Sequence, residues 1–223
     1  MKRMWLLSLC CLLLTGCGKA YWVEDCGDYR VALRDSPDTP ELLEVVVLRE
    51  EEETVVETLD TPPERVSVRV FSDVLGYSGF RLTERQGLAL EDPAEDWSLR
   101  TYYAVEEDAV LRIARSFGWG EPQDYAADLD GDGREEMVSN VTYGGDGHQD
   151  AYVYQRREDG VWVGQVSTEN LPGLDDRGAN STAVTFDPER GVFVIRYLVK
   201  DQEDPAVVET RGLERVEFTP YEK

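Results

Sequence analysis

The residues with the clearest chemical meaning stand in one short run, Asp128-Leu129-Asp130-Gly131-Asp132-Gly133-Arg134-Glu135-Glu136. Carboxylates at the first, third and fifth places can converge on one hard cation. The glycine at the sixth place lets the chain turn sharply, and the backbone carbonyl at the seventh, Arg134, adds an oxygen. Asp128, Asp130 and Asp132 therefore read as side-chain ligands; the competing reading is an acidic, glycine-rich turn that only joins two strands. A helix-flanked calcium loop needs a Glu at the twelfth place, which here is Ser139, and a helix beyond it. Met137 to Tyr143 alternates as a strand does, and the acid falls instead at the ninth place, Glu136.

A weaker cluster follows at Asp146-Gly147-His148-Gln149-Asp150, next to Gly144-Gly145. This glycine-rich context predicts an exposed loop, where functional groups gather. His148 lies between Asp146 and Asp150, a placement open to a general base, yet the sequence sets no nucleophile beside it, and a surface His in a turn reads as well. No residue is assigned a catalytic role. The chain contains no Gly-x-Ser-x-Gly elbow, phosphate-binding glycine loop, dinucleotide fingerprint or His-Glu-x-x-His pair. With only one His, multi-His zinc sites are excluded.

The loop resembles the calcium loops of FG-GAP-type repeats, as in the integrin α-subunit propeller, where Asp-x-Asp-x-Asp-Gly-x-x-Asp/Glu leads straight into a blade strand. The resemblance implies calcium held by the side chains of Asp128, Asp130, Asp132 and Glu136 and by the backbone carbonyl of Arg134. Its role would be structural: fixing the loop and cancelling repulsion among the aspartates. The resemblance covers residues 124–166, one blade's worth, and no other segment repeats the aspartate loop.

At the other end, Lys2 and Arg3 precede an apolar run from Met4 to Leu14, too short to span a bilayer and suited to a secretory leader. It ends in Leu14-Thr15-Gly16-Cys17, which resembles the lipobox of bacterial lipoproteins. That resemblance implies removal of residues 1–16, lipidation of Cys17, a short tether at 17–20, and an extracytoplasmic domain anchored to the membrane of the cell envelope. An ordinary signal peptide with an incidental Cys is the alternative. A lipobox with one aspartate loop followed by Tyr143-Gly144-Gly145-Asp146-Gly147 is also similar to small lipoproteins of anaerobic gut bacteria. Cys10 and Cys11 fall in the leader, so Cys26 is left alone, with no intramolecular partner for a disulfide and no His nearby to activate it.

The elements that must position these groups read as strands. Val66 to Val70 and Tyr29 to Leu33 alternate with period two, each predicting one buried face. Leu43 to Leu48 and Val192 to Leu198 are denser and predict burial on both faces. Hairpin turns are predicted at Glu106–Asp108, Glu158–Gly160, Asp187–Gly191 and the Glu50–Glu53 run. The sum is an all-β antiparallel meander of hairpins, propeller-like or alternatively a β-sandwich, in one domain over residues 21–221. Asp60 to Glu64 and Glu91 to Asp96 are the punctuated stretches at which it could divide.

The charge narrows the partners. The chain's 46 Asp+Glu against 23 Lys+Arg give a net charge of -23, which loss of Lys2 and Arg3 with the leader makes two more negative. Nucleic acid is excluded as a partner, since gripping phosphates needs clustered positive charge. The leading expectation is a calcium-stabilised, lipid-anchored domain that binds or scaffolds an unknown protein or glycan partner at the cell surface. The alternative is an envelope hydrolase acting on polysaccharide or peptide through Asp/Glu near the 143–150 loop. Trp97, Trp119 and Trp162 suit either a sugar-stacking platform or core packing.

Overall fold

Runs of Val, Tyr, Thr and Phe broken by Gly, Asp and Pro form sixteen strands and one short 3-10 turn, with no α-helix among the described residues. The computed structural model describes residues 19–86, 97–120, 122–143, 148–166, 180–198, 204, 206–211, 213–214 and 216–221. Among them no helix is long and apolar enough to cross a membrane. The leader, Cys17, Glu91 to Asp96 and Asp146 lie outside the described residues.

The chain falls into two compact units that divide between Glu64 and Arg65, where a single domain is expected from the sequence. The division follows Asp60-Thr61-Pro62-Pro63-Glu64. Two prolines there remove backbone N–H donors, so the strand ladder stops and the 3-10 turn Pro63–Arg65 takes its place.

The first unit is an antiparallel sheet in sequence order, β1 (Ala20–Asp25), β2 (Arg30–Asp35), β3 (Leu43–Arg49) and β4 (Glu52–Leu59). Strand β3 is buried from Leu43 to Leu48, as its dense apolar run predicts, with Glu44 the one charged residue buried in it. Strand β2 departs from the expected alternation, since Val31, Ala32, Leu33 and Arg34 are all buried. Arg34 is the reason that a charged residue is tolerated there. Its guanidinium donates to Glu44 Oε2 from Nε at 3.2 Å and Nη2 at 2.9 Å, and to Glu53 Oε2 from Nη1 at 3.0 Å. Ser36 Oγ donates to the other Glu44 oxygen at 2.8 Å. The Glu50–Glu53 run is thus only partly a solvated tip: Glu50 and Glu51 turn, while Glu53 enters β4 and meets Arg34.

The second unit opens with another antiparallel meander, β5 (Val66–Val74), β6 (Tyr77–Gln86), β7 (Trp97–Val105) and β8 (Val110–Trp119). A larger sheet follows from β9 (Gln123–Ala127), β10 (Glu136–Tyr143), β11 (His148–Arg157), β12 (Gly160–Val166), β13 (Asn180–Asp187), β14 (Val192–Leu198), β15 (Ala206–Thr210) and β16 (Phe218–Pro220). Its order is β15-β14-β13-β11-β10-β9, with β12 paired to β11 and β16. The turns predicted at Glu106–Asp108, Glu158–Gly160 and Asp187–Gly191 all join paired strands. Pairing is antiparallel except at one bridge, where Gln149 of β11 meets Ala183 of β13 in parallel. The all-β antiparallel meander is thereby established, although no closed ring of blades is found among the described residues.

Strands β10 and β11 are packed on both faces. Met137 and Tyr154 join Leu75, Tyr102, Ala104, Ile113 and Ala114 in one core. Their neighbours Val138 and Val153 turn the opposite way, against Val184, Phe186, Phe193 and Ile195. Period-two alternation therefore separates two cores rather than core from solvent. This double anchorage fixes the start of β10, and with it Glu136.

Removing one partner from a buried, hydrogen-bonded ion pair strands the other in low dielectric, at about 3–5 kcal/mol. Arg34→Ala should lower the guanidinium unfolding free energy by that amount. The double replacement Arg34→Met with Glu44→Leu should recover most of it, because the charge left without Arg34 is then Glu53, whose side chain is 34% exposed and can be solvated.

Candidate metal centre

The aspartate run becomes the connection between β9 and β10. Ala127 pairs with Glu136 across the antiparallel ladder, so the eight residues Asp128 to Glu135 form a loop closed at its base. The loop is wound by its own carboxylates. Asp128 Oδ1 accepts the Gly131 N–H at 2.8 Å and Oδ2 accepts the Gly133 N–H at 3.1 Å. Asp130 Oδ1 accepts from Asp132 N at 3.0 Å, and Asp132 Oδ1 from Arg134 N at 2.8 Å. Such side-chain-to-backbone bonds are what Asp supplies in turns. Gly131 and Gly133 sit at φ of 79° and 85°, the left-handed region that a side chain disfavours.

This winding brings three acids together. One carboxylate oxygen from each of Asp128, Asp130 and Glu136 lies within 4.8 Å of the others, a spacing that suits ligands around one metal ion. The two aspartates are exposed, whereas Glu136 is only 5% exposed. Asp132 is not in that group of three; its Oδ1 holds the Arg134 N–H, which fixes the peptide next to the expected carbonyl ligand. Of the five expected ligands, the described geometry gathers three by their side chains and wraps the remaining two into the same loop.

Glu136 is the electrostatic centre. Burial raises its carboxyl above the ordinary glutamate range, the Leu129 N–H opposes this by donating to Oε2 at 2.7 Å, and the charges of Asp130, Asp132 and Asp128 push it further up. Gln155 of β11 adds a contact that the sequence did not single out, donating from Nε2 to Asp130 Oδ2 at 3.4 Å. Only the β10–β11 pairing brings it there, and no local spacing announces it.

The weaker cluster does not form the expected loop. Asp146 lies outside the described residues, His148 opens β11 opposite Tyr143, and Asp150 sits within the same strand opposite Val141. Asp150 is buried and accepts from Gln165 Nε2 at 2.9 Å. The glycines end at Gly147, and the alternating residues beyond it pair as sheet. Cys26 is a free, half-buried thiol. Burial raises its pKa, with Glu24 and Asp25 adding to the shift and a hydrogen bond with Tyr29 opposing it.

A second polar group escaped the sequence reading altogether. Asp124 of β9 accepts from Tyr102 Oη at 2.7 Å, Arg100 Nη1 at 3.1 Å and Ser116 Oγ at 3.3 Å. Its side chain is 8% exposed. Burial and then the Asp124 charge push the Tyr102 phenol far up, so it stays protonated as a donor. Its members come from β7, β8 and β9, and this network ties the aspartate-loop hairpin to the β5–β8 sheet.

No family model matches the chain, and no curated protein or solved structure matches it.

Because the folded pKa of Glu136 lies above its unfolded value, the metal-free fold binds a proton more readily than the unfolded chain. Stability from this group is therefore greatest below the ordinary glutamate range and is lost as pH rises through the raised value. In chelator, Glu136→Gln should raise the melting midpoint at about pH 7.5 and leave it little changed at about pH 4. A variant that melts lower than wild type at both pH values would contradict this.

Proposed function

We propose that the Asp128–Glu136 loop holds a structural calcium ion, and that the chain is a lipid-anchored extracytoplasmic protein whose β-domain binds or scaffolds a partner at the cell surface. One observation carries the metal reading: three carboxylates of a strand-to-strand loop converge within 4.8 Å, one of them buried among the others' charges. A hard divalent cation is the natural counterion for an all-oxygen set. Calcium tolerates the irregular geometry of a wound loop, whereas magnesium demands a near-ideal octahedron. Asp128, Asp130 and Glu136 would supply side-chain oxygens, with Asp132 and the Arg134 carbonyl completing the shell.

Calcium here stabilises rather than catalyses. No substrate-activating base or nucleophile adjoins the loop among the described residues. Extracellular calcium modules typically bind at about 10⁻⁴–10⁻³ M. An ion at a concentration equal to its Kd stabilises by about 0.4 kcal/mol, and at a hundredfold excess by about 2.7 kcal/mol. The anchor reading rests on Lys2-Arg3, the apolar run and Leu14-Thr15-Gly16-Cys17. A net charge of -23 suits a domain held close to anionic lipid yet kept off its surface.

Two results would test this reading. Millimolar calcium should raise the melting temperature of the wild type, and Asp130→Ala should abolish the rise; an unchanged wild-type melting curve would overturn the metal assignment. Cells fed labelled palmitate should incorporate it into the wild type and not into Cys17→Ala. Labelling that survives the substitution would place the lipid elsewhere.

A further inference from the structure

At the far end of the β9–β10 hairpin from the aspartate loop lies a cleft of about 560 Å³. Gln123 opens β9 there and pairs with Asn140 of β10, while the loop closes the ladder at Ala127 and Glu136. Four residues of strand put the two sites roughly 13 Å apart. None of Asp128 to Glu136 lines the cleft.

Its wall has an uncommon make-up. Trp119, the last residue of β8, lines it and is 40% exposed, one of few large apolar side chains left in solvent. Trp97 stands opposite Trp119 across the β7–β8 ladder and packs edge-on against Phe117 at 5.6 Å. Gly118, Pro122, Phe186 and Pro188 add apolar surface, the rest of the lining is amide, hydroxyl and carboxylate, and among the described residues no Lys, Arg or His lines it.

The polar groups are oriented by bonds already made. Asn140 exchanges two hydrogen bonds with the Phe186 backbone, at 2.8 and 3.2 Å, and so makes a fixed floor. Gln123 Oε1 accepts from Tyr125 Oη at 3.0 Å, which turns its NH2 end into the donor it can offer a ligand. Gln149 donates from Nε2 to Thr142 Oγ1 at 3.3 Å, which leaves its carbonyl oxygen as the acceptor. One amide thus presents donors and another an acceptor beside an aromatic face.

We infer that this cleft binds a neutral saccharide, with a sugar ring stacked on Trp119 and its hydroxyls bridging Gln123 and Gln149. Hydroxyls both donate and accept, which matches the two amides. The apolar C–H face of a sugar ring is the part that an indole covers. An anionic ligand meets Asp187, Glu189 and the chain's overall negative charge, with no cation lining the wall among the described residues. A lipid or purely apolar ligand would bury amides and carboxylates without partners. The site is separate from the calcium loop and does not rest on that reading.

The test uses the full chain in a detergent without sugar headgroups. Uncharged hexasaccharides of glucose, xylose, mannose and N-acetylglucosamine are titrated while tryptophan fluorescence and calorimetric heat are followed. At least one should bind, equally in calcium and in chelator. Trp119→Ala should weaken it about tenfold or more, Trp119→Tyr should retain much of the affinity, and Trp162→Ala should change nothing. Gln149→Ala, whose strand is anchored on both faces, gives a second loss if Trp119→Ala fails to fold. Absence of binding by every sugar at millimolar concentration would overturn the proposal, as would binding unaffected by Trp119→Ala or a preference for anionic sugars or peptides. A calcium-dependent melting shift without sugar binding would sink this inference alone.

Discussion

Repulsion among carboxylates is the constraint around which the β9–β10 hairpin is built. Asp128, Asp130 and Glu136 are held close, and Glu136 is buried at the foot of a strand. Burial disfavours ionisation of Glu136, and the charges of Asp130, Asp132 and Asp128 add to the effect. The fold accepts that penalty because β10 cannot shift: Met137 is fixed in one core and Val138 in the other, so the residue before them has one place to go. A one-residue slip would exchange the two faces and empty both cores. A cation placed among these oxygens converts the strain into attraction without moving the strand.

The same double-sided packing explains how one sheet can carry two unrelated features. Strand β10 begins in the aspartate loop and runs to the floor of the Trp119 cleft through Asn140. Asp124, between them on β9, draws Arg100, Tyr102 and Ser116 into a buried network. Backbone ladders set the spacing along the hairpin, and this network sets its attachment to the neighbouring sheet. The chemistry at either end can vary while the middle stays fixed.

Local signals in the sequence foretold much of the fold and less of the surroundings of the site. Turn residues marked the hairpins at Glu106–Asp108, Glu158–Gly160 and Asp187–Gly191, since Gly and Asp act through their own φ and side chains. Period-two patterns marked strands. They misassigned β2, where Ala32 falls on the expected solvent face of Tyr29 to Leu33 yet is fully buried, and where Arg34 just beyond is buried by partners ten and nineteen residues away, Glu44 and Glu53. The break after Glu64 was visible as prolines, yet its short length argued for one domain. His148 to Asp150 follow a glycine-rich stretch and so look like loop, yet they pair as strand with Val141 to Tyr143.

The aspartate loop was legible because its ligand spacing is local: a turn of nine residues carries its own geometry. Gln155, the Asp124 network and the Trp119 cleft were not, because each joins residues from separate strands whose register only pairing decides. In the sequence Trp119 looks no different from Trp97 and Trp162, because nothing local distinguishes an indole at a cleft mouth from one in a core.

The central claim is that the loop's carboxylates are ligands. Calorimetric titration of the calcium-free full chain tests it most directly. The account predicts one calcium bound per chain, much weaker binding of magnesium, and no binding after Asp130→Ala. Absence of calcium binding at millimolar concentration, or full binding by the Asp130→Ala variant, would contradict it.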